Sequence, residues 1–208
     1  NNSSEYEASD ADKLGSLFYN VPVYYKNITV DADNSDWGGI TMAYMPVDDY
    51  SQLQIYAHDD EKEKDLKIDY AFAYDEEYFY MYYKVFDDLI ETYAELANYW
   101  RGDSIQFMLS KRGESVGYEI GLIHDNKADT GRIYSSVFSD EQINLCKIKT
   151  KRDGNYTVYE AAIPWTVKYG TKPDEILFDF IVNDNDYNGR KYCIQLAPGI
   201  AEGKMNDA

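Results

Sequence analysis

An antiparallel β-sandwich is the fold class this sequence predicts, and three observations predict it. Short runs of alternating apolar and polar residues recur about every dozen residues, the period of half-buried strands. Clusters rich in Gly, Asn and Asp separate them: KRGES (111–115), HDNKADTG (124–131), KRDGN (151–155) and NDNDYNG (183–189). Strand and helix patterns do not alternate, and no segment repeats. Composition agrees: 22 Tyr against 3 Trp suit half-exposed strands, since tyrosine has an apolar body and a polar tip. The expected architecture is all-β, a jelly-roll or immunoglobulin-like sandwich with at most one or two short helices.

The elements follow in order. Residues 1–17 are polar, acidic and small, and read as a disordered linker or processed N-terminus ahead of one domain over 18–208. VPVYYKNITVD (21–31) reads as a strand entering an Asp-rich turn, and LQIYA (53–57) as another. LKIDYAFAYD (66–75) and YFYMYYKVF (78–86) flank Asp75-Glu76-Glu77 and form a hairpin. The second carries Tyr78, Tyr80, Tyr82 and Phe86 on one face and Phe79, Met81, Tyr83 and Val85 on the other. With both faces apolar, it belongs in the middle of a sheet. DLIETYAELANY (88–99) alone has helical spacing, through Leu89, Tyr93 and Leu96. Strands are then expected at 103–110, 116–124, 132–139, 143–149, 156–163, 175–182 and 191–197.

Charge limits the partners. A net charge of −18 opposes binding to nucleic acid or an anionic membrane, both of which recruit Lys and Arg. It is compatible with a neutral partner or a cation, and with a secreted, extracellular protein, free or attached to a cell surface. No apolar run is long enough to span a bilayer. Cys146 and Cys193 can pair, but two thiols make neither a disulfide framework nor a zinc site.

Catalytic patterns are weak. Gly113, Ser115 and Gly117 spell G-x-S-x-G, yet strands are expected on both sides, whereas a nucleophile elbow joins a strand to a helix. His58 and His124 form no metal pair. A sandwich glycoside hydrolase needs two carboxylates in a cleft; among 38 acidic residues some pair always qualifies, and no E-x-D-x-x-E strand signature is present. A non-enzymatic role is expected.

Four segments carry a family resemblance. They are ITVDADNSDWGGI (28–40), AYDEEYFYMYYKVFDD (73–88), YWRGDSIQFMLS (99–110), and YTVYEAAIPWTVKYGTKPDEILFDFIVNDND (156–186) with GRKYCIQLAP after it. Glu160, Ile163, Pro164 and Trp165, with Val182-Asn183-Asp184 downstream, are the most specific part. In this order the chain resembles the family 9 carbohydrate-binding modules and the wider sandwich group of sugar-binding and haem-binding domains. The resemblance implies a non-catalytic module that holds a secreted polysaccharide-degrading protein, as part of a larger multidomain chain, on plant-type glycan such as cellulose or xylan. A polysaccharide or oligosaccharide is then the partner. A structural or adhesion module that binds protein is the alternative, and a sandwich hydrolase the second.

Sugar recognition needs a flat aromatic face for pyranose C–H groups and polar side chains for the hydroxyls. Trp100, in a loop before a strand and beside Tyr99 and Arg101, is the first candidate. Trp37 and Trp165 read as structural. A second clamping ring would have to be a tyrosine: Tyr187, Tyr192 or Tyr93. Arg101, Asn183, Arg190 and Gln195 are the polar candidates, with pairing of Arg190 to Glu160 an equal structural reading. The resemblance also implies structural calcium in acidic turns. Asp31, Asp33, Asn34 and Asp36 form one candidate ligand set, Asp184 and Asp186 with Asn185 a second, and Asp87 with Asp88 a third; calcium takes clustered carboxylate and carbonyl oxygens.

Overall fold

The computed structural model describes residues 22–45, 66–93, 95–112, 114, 117–186, 189–196 and 200, and the backbone of 53–55. The expected boundary at 17/18, the end of the 53–57 run, Gly113 and Ser115, His58 and Tyr187 lie outside the described residues.

Among the described residues, twelve strands form two sheets. The strands are β1 (Val23–Tyr25), β2 (Ala43–Met45), β3 (Leu53–Ile55), β4 (Lys67–Tyr74), β5 (Tyr78–Phe86), β6 (Ser104–Ser110), β7 (Tyr118–Asp125), β8 (Thr130–Tyr134), β9 (Lys147–Asp153), β10 (Tyr156–Pro164), β11 (Leu177–Asp184) and β12 (Tyr192–Gln195). The first sheet runs β1-β4-β5-β10-β9, with β2 also paired to β4; the second runs β3-β12-β11-β6-β7-β8. All pairings are antiparallel except β1 with β4, where Val23 sits opposite Phe72.

The core lies between the sheets, where alternation turns one face of each strand inward. Phe72 and Phe79 of the first sheet meet Phe107 and Phe180 of the second, with Phe79 and Phe107 stacked at 5.7 Å and Phe72 edge-on to Phe180 at 5.9 Å. Strand β5 is central, as its two apolar faces require. Phe79, Met81, Tyr83 and Val85 enter the main core; Tyr80 and Tyr82 face outward into a second cluster with Ala71, Ala73 and Ala162, roofed by Ile28 and Trp37. The segment between β1 and β2 is therefore a lid on the first sheet, and the expected strand at 21–31 shortens to Val23–Tyr25.

Two helical expectations change. Over 88–99, only a 3-10 turn at Leu96–Arg101 is helical. Among the described residues the α-helix is α1 (Asp140–Leu145), where a strand at 143–149 was expected to begin; Ser139 and Gln142 exchange hydrogen bonds in a capping box. The strand starts later, at Lys147, and the strand expected at 132–139 ends at Tyr134. No disulfide joins Cys146 to Cys193.

Candidate functional site

The outer face of the second sheet is polar where it is most buried. On β6, Ile105 and Phe107 enter the core, so Ser104 and Gln106 point the other way. Asn183 on β11 and Gln195 on β12 share that face and are buried with them. Asn183 Nδ2 donates to Ser104 Oγ and Gln106 Oε1, both at 3.1 Å. Arg190 Nη1 donates to Asn183 Oδ1 at 2.9 Å and to Gln106 Oε1 at 3.3 Å. Fixed amides thus orient a guanidinium that is only half buried.

Trp100 stands over this layer, 39% exposed. The Arg190 guanidinium lies 5.0 Å from its ring centroid and that of Arg101 6.0 Å, while Arg101 also lies 4.9 Å from the Tyr93 ring. Cations over aromatic faces hold the planes in place. The turn that presents Trp100 is seated by Tyr99, which is buried and donates through its hydroxyl to Glu119 Oε1 at 2.6 Å. Burial first, then the Glu119 charge, push the Tyr99 hydroxyl well above its ordinary pKa, so it remains a donor. Its ring rests on Gly121, where a Cβ would come within 2.4 Å of it.

Beneath the same two loops, Asp87, Asp103 and Asp184 are buried, with one carboxylate oxygen of each within 4.8 Å of the others; Asp87, Asp88 and Asp186 form an overlapping group. Asp103 Oδ1 accepts from Asn185 N at 2.8 Å, and its other oxygen accepts from Glu91 N. Asn185 closes the loop through Glu91 O and Gly189 N. Burial, then the charges of Asp87 and Asp184, push the Asp103 carboxyl well above the usual carboxylate range. A divalent cation relieves that repulsion, and an all-oxygen set of carboxylates is the donor chemistry of calcium. The site residues fit such an ion.

The sequence-derived residues divide clearly. Trp100, Arg101, Asn183, Arg190 and Gln195 come together on one face. Tyr99 supports from below. Tyr192 is turned into the core and accepts from Leu66 N at 3.1 Å, because alternation on β12 sends Tyr192 and Ile194 inward and Cys193 and Gln195 outward. It is not available as a clamping ring; Tyr93, beside Arg101, is. The pairing of Arg190 with Glu160 does not form. Glu160 lies on β10 of the other sheet and accepts from Trp37 Nε1 at 2.7 Å and from the Asp31 and Ala32 amides at 2.7 and 2.6 Å.

Asp31, Asp33 and Asp36 accept from the backbone amides of Asp33, Ser35 and Thr29, and Asp31, Asp33 and Asn34 are exposed. This set makes Asx-type turns. The carboxylates that converge are instead Asp184 and Asp186 with Asp87 and Asp88, joined by Asp103. Sequence reasoning missed Gln106, Ser104 and Asp103. The signal for the first two was the strict alternation in Ser-Ile-Gln-Phe; for Asp103 there was none beyond its acidity. A separate cavity of about 630 Å³, lined by Tyr78, Leu145, Trp165 and Lys172 among others, opens near the start of β5, whereas the Trp100 loop leaves its end.

A model of the family described as carbohydrate family 9 binding domain-like matches residues 42–197. No protein of curated function matches the sequence. Among solved structures, the chain is similar to a family 9 carbohydrate-binding module from Caldicellulosiruptor kristjanssonii. In its glucose complex the TM-score is 0.63 at 16% identity, covering 84% of this chain and 83% of that one. In its cellotriose complex the TM-score is 0.64 at 16% identity, covering 85% and 83%. A protein from Bacteroides uniformis ATCC 8492 matches with a TM-score of 0.57 at 12% identity, covering 86% and 89%.

Proposed function

This chain belongs to the carbohydrate family 9 binding domain-like family, and from that premise we propose that it is a non-catalytic module whose Trp100 face holds a glucan or xylan chain. One observation carries the reading: a single exposed indole stands beside an arginine, and that arginine is oriented by buried Asn183 and Gln106. A broad apolar patch would suit a protein partner. One ring with converging guanidinium groups held by buried amides suits a sugar: the indole takes the pyranose C–H face, and Arg190 and Arg101 take hydroxyls. Glucose and cellotriose, the ligands of the Caldicellulosiruptor kristjanssonii module, name the first compounds to try.

In this reading the module serves a secreted polysaccharide-degrading protein, keeping it on plant-type glycan outside the cell. Weak single-site binding suffices where several modules act together. Calcium at Asp87, Asp103 and Asp184 would fix the two loops that flank the indole. The test is affinity electrophoresis on soluble glucans and xylans, with calorimetry on cello-oligosaccharides. The wild type is expected to be retarded, and Trp100→Ala to bind at least about tenfold more weakly, the scale of ~1.5 kcal/mol for a lost stacking platform. A folded wild type retained by no polymer would remove the sugar reading.

A further inference from the structure

The outer face of the first sheet gathers five lysines on a strongly acidic protein, with Asp69, Asp153 and Glu160 among them. Register places its side chains. One row across β4, β5, β10 and β9 is Lys67, Phe86, Tyr156 and Asp153; the next is Asp69, Lys84, Val158 and Lys151. Lys149 and Lys147 continue the series along β9, beside Glu160 and Ala162. Four of these five lysines are exposed and Lys84 is half-buried.

Acidic residues number 38 against 20 basic ones, and Lys168, Lys172 and Lys191 each meet a carboxylate. Among the described residues, none of the five is in an ion pair. Three lie over aromatic rings instead: Lys67 over Phe86 at 5.2 Å, Lys84 over Tyr156 at 4.6 Å and Lys147 over Tyr78 at 4.1 Å. The one carboxylate beside Lys149, that of Glu160, is spent on Trp37 and two amides. Tyr156 is 42% exposed and packs edge-on against Phe86 at 5.2 Å. Lysines on an edge strand also deter strand addition, which accounts for β9. It does not account for Lys67 and Lys84, which lie on inner strands.

We propose that this face is a second carbohydrate-binding surface, specific for a polysaccharide that carries carboxylates, a uronic acid chain. Lysines two residues apart on one strand stand ~7 Å from one another, a sparse row of cations on a flat sheet. That pattern suits a polymer with one carboxylate per sugar and an apolar C–H face between carboxylates, which Tyr156 and Phe86 can meet. Nucleic acid and an anionic bilayer offer no pyranose C–H face between their charges for Tyr156 and Phe86 to meet. The proposal does not depend on the Trp100 face.

Affinity electrophoresis on polygalacturonate, at low and raised salt, tests it. The wild type is expected to be retarded at low salt and released as salt rises. Trp100→Ala should be retarded equally. Lys84→Glu with Lys151→Glu should weaken retention at least about tenfold, with unchanged retention on neutral glucan as the control for folding. Tyr156→Ala should weaken it without a change in charge. No retardation of the wild type, retention insensitive to the lysine reversals, or equal retention on polyglutamate would each overturn the proposal, the last by showing that charge alone is read.

Discussion

Glu160 shows how one residue can hold a lid. Alternation on β10 turns its side chain away from the core, and its carboxylate collects the Trp37 indole N–H and two consecutive amides. Burial raises its pKa, and these three donors oppose the rise without cancelling it. Glu160→Ala leaves three buried donors unsatisfied, and a loss of about 3 kcal/mol in urea unfolding is expected, read at an unchanged m-value. Asp75 behaves oppositely. Burial disfavours its carboxylate, but Tyr80 Oη and Asn27 Nδ2, each at 2.7 Å, and the Tyr78 and Glu77 amides, each at 2.8 Å, outweigh that and hold its pKa below the ordinary 3.8. A depressed carboxylate contributes stability above its unfolded pKa and loses it as pH falls through the folded one. Asp75→Asn should therefore cost stability at neutral pH and nothing at about pH 2, with urea midpoints as the measure.

At the scale of elements, the proposed binding face is built by what lies against the second sheet. The 3-10 turn Leu96–Arg101 presents Trp100 outward only because Tyr99 seats inward on Gly121 of β7. A methyl group at that position displaces the ring. Gly121→Ala should weaken glycan binding several-fold in calorimetry and also lower the thermal midpoint, although residue 121 touches no ligand. The strands themselves were legible because period-two patterning states which face is buried. The ends of elements were not. Helix α1 occupies residues that alternate acceptably as a strand, and the capping box Ser139-x-x-Gln142, present in the sequence, decides for helix. At 88–99 the apolar spacing is helical, yet among its described residues only the last turn forms; the backbone at Ile90 and Glu91 is instead held by Asp103, Asn126 and Asn185.

For the whole molecule, charge and topology act together. The strands β5, β6 and β11 end or begin at the same edge, so Asp87, Asp103 and Asp184 converge there from segments far apart in sequence. Three like charges within one buried space oppose folding, and a cation reverses the sign of that contribution. Calcium is expected to raise the thermal midpoint, a chelator to lower it, and Asp103→Asn to reduce the difference between them. Differential scanning fluorimetry reads all three, and an unchanged midpoint with calcium and chelator would argue that protons, not a metal, neutralise the cluster. The same edge carries Trp100 and Arg190, so loss of the cation should also weaken glycan binding.

From the sequence alone came the sandwich, the central place of β5 and the position of Trp100 in a turn ahead of β6. Each of these is local: alternation, turn chemistry and a ring in a loop are properties of a few adjacent residues. Only the tertiary structure decided that Glu160 serves Trp37 rather than Arg190, that Tyr192 faces inward, that Gln106 joins Asn183, and that Asp103 completes an acidic cluster. Those are pairings between strands distant in the chain. Alternation specifies which side of a strand a residue occupies, but strand order and register determine what stands opposite it.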